Sequence, residues 1–258
     1  MKRRQLIGYA GAGLVTALVT NLSSHLKADA QSSGLSVKWL GHTCFLFTGS
    51  GVRILVNPFQ TIGCTAGYRP PQVEADLVMI SSQLLDEGAV DGLPGNPKLV
   101  YAPGAYEFQG IKLQGVAIDH DRKGGRQFGR NTAWSWQQGG INILHLGGAA
   151  APISTEQRIL MGRPDVALIP VGGSDKAYNA EEAQAATRVL NPKLVIPTHY
   201  RTEAADDAVC DISPVDEFLG LMQGMTVRRS NTDTITLNSS NLPESSEIQL
   251  LTYKFSAK

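Results

Sequence analysis

Asp76-Leu77-Val78-Met79-Ile80-Ser81-Ser82-Gln83-Leu84-Leu85-Asp86-Glu87 is the stretch that decides the fold of this chain. Its first half is a short, unbroken apolar run, the pattern of a strand covered on both faces. Its second half turns polar at once, so Ser82, Asp86 and Glu87 stand just past a strand end. In open α/β sheets ligands collect at strand ends, which singles out His199 at the end of the buried strand over 193–197. Two further stretches belong with it. Trp39-Leu40-Gly41-His42-Thr43-Cys44-Phe45-Leu46 reads as a hairpin, and Ile54-Leu55-Val56-Asn57-Pro58-Phe59 as a strand running into a turn.

Strand patterns continue on both sides. They cover 35–40, 44–48, 53–57, 77–81, 99–102, 113–119, 132–137 and 141–146, with turn clusters such as Gly49-Ser50-Gly51 and Gly139-Gly140 between them. The second half alternates. A short helix is expected over 155–161 and a buried strand over 166–171. A helix capped by Asn179 then runs to Leu190 and is stopped by Asn191-Pro192. A strand over 193–197, a helix over 215–222 and strands over 234–237 and 248–253 close the chain. Strands, then alternating strands and helices, then strands again predict an α/β fold of two mixed sheets sandwiched between helices.

Together these stretches resemble the metallo-β-lactamase fold, in the branch related to L-ascorbate-6-phosphate lactonase, over roughly Val37 to Leu237. The resemblance implies an αββα sandwich of two mixed β-sheets flanked by helices. It also implies hydrolysis of lactones, phosphate esters and related bonds by metal-bound hydroxide. In that family the window after the 77–81 strand reads H-x-H-x-D-H and holds two zinc ions. Here the histidine places carry Ser82, Leu84 and Glu87, and only Asp86 survives. Leucine cannot ligate a metal, and a serine hydroxyl is a poor zinc ligand beside imidazole. Leu84 is therefore expected to pack into the vacated cavity.

The same comparison singles out further positions. His199, after the strand in Lys193-Leu194-Val195-Ile196-Pro197-Thr198-His199, matches the family's last metal ligand. His120 matches a ligand of the first metal, and His42 a histidine on the first hairpin. A single histidine is usually an ordinary core or surface group, but three at matching positions imply a shared pocket. Gly148 stands where the family has a bridging aspartate, Asn57 replaces an aspartate, and His145 reads as structural.

These losses cluster on one site. The leading reading is a protein whose dinuclear zinc site is lost, a non-catalytic or strongly diverged hydrolase homologue without a cofactor. The alternative is a hydrolase of an ester, lactone or phosphoester with one zinc or other divalent ion on His120, His199, Asp86 and Glu87. A metal-free hydrolase using Ser81 or Ser82 with a histidine is a third reading. Asp119 and Asp121 flank His120 and could orient it as a base. The basic run from Arg122 to Arg130 is either a solvated loop or an anion-attracting lid. The glycines at 147–148 and 172–173 read as turns around the pocket.

The first thirty residues read as an export signal: basic Met1-Lys2-Arg3-Arg4, an apolar run from Leu6 to Leu22, and a small-x-small cleavage site at Ala28-Asp29-Ala30. Arg3-Arg4 resembles a twin-arginine signal; the plainer reading is an ordinary export signal. Residues 31–258 then form one domain beyond a membrane, in a periplasm or, in a photosynthetic source, a thylakoid lumen. Removing Lys2, Arg3, Arg4, Lys27 and Asp29 from 23 basic and 23 acidic side chains leaves 19 and 22. That balance speaks against nucleic acid, and no stable membrane span is expected. The partner is a small molecule or a protein that the sequence does not specify. Cys44, Cys64 and Cys210 allow one disulfide at most, its pairing open, with Cys44 in a strand pattern typical of a buried thiol.

Overall fold

The structure is a computed structural model and describes residues 34–255. The proposed export signal lies outside the described residues. Element order is β1 (Leu35–Gly41), β2 (Cys44–Gly49), β3 (Val52–Val56), β4 (Leu77–Met79), β5 (Lys98–Val100), β6 (Gly104–Phe108), β7 (Ile111–Asp119), β8 (Arg130–Gln138), β9 (Ile141–His145), α1 (Thr155–Met161), β10 (Val166–Pro170), α2 (Ala180–Leu190), β11 (Leu194–Thr198), α3 (Val215–Leu221), β12 (Thr226–Arg229), β13 (Thr234–Leu237) and β14 (Glu247–Leu250).

Two mixed sheets result. One runs β13-β1-β2-β3-β4-β5, the other β12-β14-β11-β10-β9-β8-β7-β6. The first is antiparallel through β3 and parallel at β3-β4-β5. Alternation explains its inner face: Leu35, Val37 and Trp39 of β1 are buried while Ser36, Lys38 and Leu40 are less so. Between the sheets these residues join Phe45, Phe47, Ile54, Trp134, Trp136 and Leu168 in one core. A second apolar layer holds Val116, Leu144 and Ile169 from the outer face of the large sheet. It also holds Ala183, Ala186 and Leu190 of α2 and Phe218 of α3. The expected pair of packed mixed sheets is the observed one, and the described helices lie on the large sheet, α1 against β7 and β8 and α2 against β10.

Local chemistry accounts for the element ends that matter. Asn179 caps α2 by accepting from Glu182 N at 2.9 Å, and Asn191 ends it in the left-handed region with φ 45°. Two strands were not expected. β6 and β12 are outermost in the large sheet, and β12 (Thr-Val-Arg-Arg) carries the charge typical of an edge. Such strands owe little to apolar periodicity, so the sequence pattern misses them. The strand expected over 77–81 ends at Met79, which frees Ser81 and Ser82 for the site. Cys64 and Cys210 form the disulfide, and Cys44 is a buried free thiol.

Candidate functional site

Strand ends converge on one place. His42 sits in the β1–β2 turn, Asn57 follows β3 and His199 follows β11, all with positive φ of 51°, 54° and 51°. Left-handed backbone is uncommon for residues other than glycine, and it concentrates where function holds strain in place. The rings of His42 and His199 lie 4.5 Å apart between centroids, tilted by 47°, and both are buried. Gly172 makes room behind His199, since a Cβ there would lie 2.1 Å from the His199 carbonyl oxygen.

His42, Asp86 and His199 form a group whose ligand atoms all lie within 4.8 Å of one another. Neither ring nitrogen of His42 nor Nδ1 of His199 has a hydrogen-bond partner. A buried nitrogen left unpaired is costly, and nearly all find partners. Burial lowers the pKa of His42 to about 4, and burial with the neighbouring His42 lowers that of His199 to about 3. Both imidazoles are therefore neutral at pH 7, the form that offers a lone pair to a metal ion. Burial works to raise the Asp86 carboxyl, but the Lys176 ammonium and the two imidazoles outweigh it and bring it to about 2. Two neutral imidazoles, one carboxylate and unpaired buried nitrogens fit one divalent ion.

Lys176 was not anticipated. Its Nζ forms a hydrogen-bonded ion pair with Asp86, 90 residues away in sequence. Arg122 braces the loop that carries it, donating to the Ser174 carbonyl at 2.7 Å, to the Ala177 carbonyl at 2.9 Å and to both oxygens of Glu182. The only sequence signal for Lys176 is its nearness to the glycine turn at 172–173.

The other half of the expected ligand set is engaged internally. His120 Nε2 lies 2.5 Å from Glu87 Oε1, both side chains buried. Burial opposes charge on each, yet mutual attraction wins, raising His120 and lowering Glu87 from their ordinary values. Asn57 supports the pair from Nδ2 at 3.4 Å to Glu87, while its Oδ1 accepts from Ser81 N at 2.8 Å. Gly148 closes against them: its Cβ would lie 2.2 Å from His120 Cε1 and 2.8 Å from Glu87 Oε1. Its backbone is held by a 2.8 Å hydrogen bond to Asn131 Oδ1. A side chain there would have to displace the Glu87–His120 pair.

Of the four expected ligands, His120, His199, Asp86 and Glu87, the structure brings His199 and Asp86 together, with His42 beside them, and leaves His120 and Glu87 paired with each other. The expectation of no metal is not supported, whereas the single-ion alternative fits this group. Leu84 does not fill a buried cavity; it is half-buried and lines an open cleft of about 440 Å³ above His42 and His199. Ser82 Oγ accepts from Leu84 N at 3.2 Å and Ser81 Oγ has no partner, so neither hydroxyl is bonded to an imidazole. Asp121 does not orient His120. It accepts from the backbone N–H groups of Lys123, Gly125, Gln127 and Phe128, with Phe128 the strongest influence in holding its carboxyl at about 2. The basic loop is folded by this carboxylate, and it turns Phe128, not a cation, toward the cleft. His145 is structural as expected: Nε2–H donates to the Thr43 carbonyl at 2.9 Å and Nδ1 accepts from Gly147 N at 3.0 Å.

A fold of two mixed sheets with a histidine–aspartate group at their strand ends defines the metallo-β-lactamase superfamily, and the beta-lactamase superfamily domain matches residues 36–199. The chain belongs to that family. Within it, a Thermococcus onnurineus protein named UPF0173 metal-dependent hydrolase is 30% identical over 193 residues, 65% of this chain and 85% of that protein. A Thermoplasma acidophilum protein of the same name is 25% identical over 195 residues, 65% and 84% of the two chains. Among solved structures, a candidate zinc-dependent hydrolase of the metallo-beta-lactamase superfamily from Thermotoga maritima superposes with TM-score 0.67. It is 29% identical and is matched over 84% of this chain and 98% of its own. No described helix is long and apolar enough to cross a membrane.

Proposed function

We propose that this protein is a hydrolase working with one divalent metal ion on His42, Asp86 and His199, and that the two-ion centre of its superfamily is lost. The observation that carries the reading is the set of unpaired, buried ring nitrogens on His42 and His199 beside an ionised Asp86. The relatives' name, metal-dependent hydrolase, supports the same reaction class. A divalent ion there supplies the positive charge that polarises a carbonyl or phosphoryl oxygen and activates water. The chain's own residues do the rest. Lys176 keeps Asp86 ionised, and burial keeps both imidazoles neutral. The Glu87–His120 pair stands where the second ion would need ligands, with Gly148 in place of a bridging carboxylate. The protein is proposed to act after export, with residues 1–30 removed.

One observation favours a second reading, a metal-free homologue: the Lys176 ammonium already provides a cation for Asp86. Elemental analysis of protein loaded with zinc, manganese or iron separates the two. Close to one ion per chain, with a thermal shift reversed by chelator, is expected. Two ions per chain, or none with no shift, overturns the proposal. N-terminal sequencing from the native compartment tests export, with a start near Gln31 expected and an intact Met1 against it.

A further inference from the structure

We infer that the substrate is an uncharged carboxylic ester, open or cyclic, with an apolar body, and not a phosphoester or sugar derivative. The inference rests on the hydrolase reading of the same site and names its substrate class from the cleft walls. Above the polar floor of His42, Asp86, Lys176 and His199, the walls are Ile62, Leu84, Leu85, Phe128, Val209 and Ile212. Ile62, Leu85 and Val209 are 45%, 51% and 66% exposed, which places three large apolar side chains in water around one opening. Single exposed apolar residues need no explanation, but a cluster rimming a concave polar site marks a binding surface. The volume, about 440 Å³, is in the range of small-molecule sites.

Charge points the same way. The charged side chains lining the cleft are Asp86, Lys176 and Asp211, and the one cation among them is ion-paired with Asp86. Of the basic loop only Phe128 lines the cleft, and Arg122 is turned away to Glu182 and two carbonyls. Apart from the metal ion, a phosphate group would meet no uncommitted cationic side chain and would face the carboxylate of Asp211, whereas a neutral carbonyl needs only the ion and meets no such repulsion. The walls are also fixed in place. The Cys64–Cys210 disulfide joins the segments that carry Ile62 and Val209, and Asp206 N bonds the Gly63 carbonyl at 3.0 Å beside it. Preformed apolar walls bind without an ordering cost.

The reaction is ester hydrolysis. The oxygen of water bonds to the acyl carbon and the acyl C–O bond breaks. One proton of that water ends on the leaving alkoxide, giving the alcohol, and the other is lost from the acid, giving the carboxylate.

The test is binding of 2-alkanones of four to eight carbons, neutral carbonyl compounds that cannot be hydrolysed, by calorimetry on metal-free and zinc-loaded protein. Transfer of about 0.8 kcal/mol per methylene corresponds to about a fourfold drop in Kd for each carbon added. We expect that dependence in both forms, flattened in Ile62→Ser and Val209→Ser and kept in Val189→Ser, an exposed position outside the cleft. Both wall positions are exposed, so the serine variants should keep the native melting temperature. Alongside, p-nitrophenyl octanoate should be turned over by zinc-loaded protein with kcat/KM well above p-nitrophenyl acetate and p-nitrophenyl phosphate. Chain-length dependence in protein that takes up no metal keeps this substrate class while overturning the metal reading. Metal uptake without chain-length dependence, or preference for the phosphate ester, overturns the substrate class alone.

Discussion

Replacing His42, His199 and His120 by alanine, one at a time, should produce two different phenotypes, because the structure splits these histidines between two places. A metal that binds only the folded state stabilises it by RT ln(1 + [L]/Kd), about 2.7 kcal/mol at a hundredfold excess over Kd. For a domain of this size each kcal/mol moves Tm by roughly 2–4 °C, so zinc should raise the wild-type Tm by roughly 5–11 °C. His42→Ala and His199→Ala should abolish that shift. Their metal-free baseline should change less than that of His120→Ala, since both ring nitrogens of His42 and Nδ1 of His199 satisfied no hydrogen bond. His120→Ala should do the reverse. It leaves Glu87 buried with one long 3.4 Å contact to Asn57, and breaking a buried pair from one side costs about 3–5 kcal/mol. Its Tm should fall by roughly 6–20 °C, yet zinc should still raise it by the wild-type increment. Differential scanning fluorimetry with and without zinc and chelator reads all four proteins. A zinc shift lost in His120→Ala and kept in His42→Ala would refute the assignment of the two half-sites.

Stability should fall on acidification from about pH 6.5, because His42, His145 and His199 have folded-state pKa values pushed to about 4, 4 and 3, so the unfolded chain takes up the protons first. With up to three such protons the slope reaches about 4 kcal/mol per pH unit, checked by urea unfolding between pH 6.5 and 5. The Glu87–His120 pair behaves otherwise. Its histidine is raised, so that share is full below 6.5 and lost as pH rises through the folded value, while the lowered Glu87 gives a share lost in acid. Accordingly, His120→Ala should cost more at pH 6 than at pH 9, measured by the same unfolding. Gly148→Asp should not restore a second ion, since a Cβ there meets His120 Cε1 at 2.2 Å; elemental analysis should still find one ion per chain, in a less stable protein. Lys176→Met frees Asp86 from its ammonium partner and should tighten zinc binding severalfold by calorimetry, an unchanged or weaker Kd being the contrary result. Cys64→Ser should lower stability by up to about 5 kcal/mol in the chain-entropy account, since the disulfide spans 146 residues; equilibrium unfolding measures it.

Much of the molecule was legible in the sequence because its signals are local. Apolar runs such as Leu77-Val78-Met79 identify buried strands, Asn179 with Glu182 identifies a helix start, and Trp39 to Leu46 with the 193–199 stretch points to the superfamily and puts His42 and His199 in one pocket. The losses at Ser82, Leu84 and Gly148 were equally legible as departures from a pattern. What the remaining polar groups do with one another was not. Whether Glu87 reaches a metal or His120 depends on a 2.5 Å approach between residues on different strand ends, in space that Gly148 leaves open by having no side chain. Lys176 pairs with Asp86 across 90 residues, a contact set by where the β10–α2 loop lands and by Arg122 holding it there. Periodicity and turn chemistry report how a segment lies against its own neighbours in sequence. Coulombic pairing, desolvation and the walls of a cleft depend on which distant segments meet, and only the tertiary structure decides that.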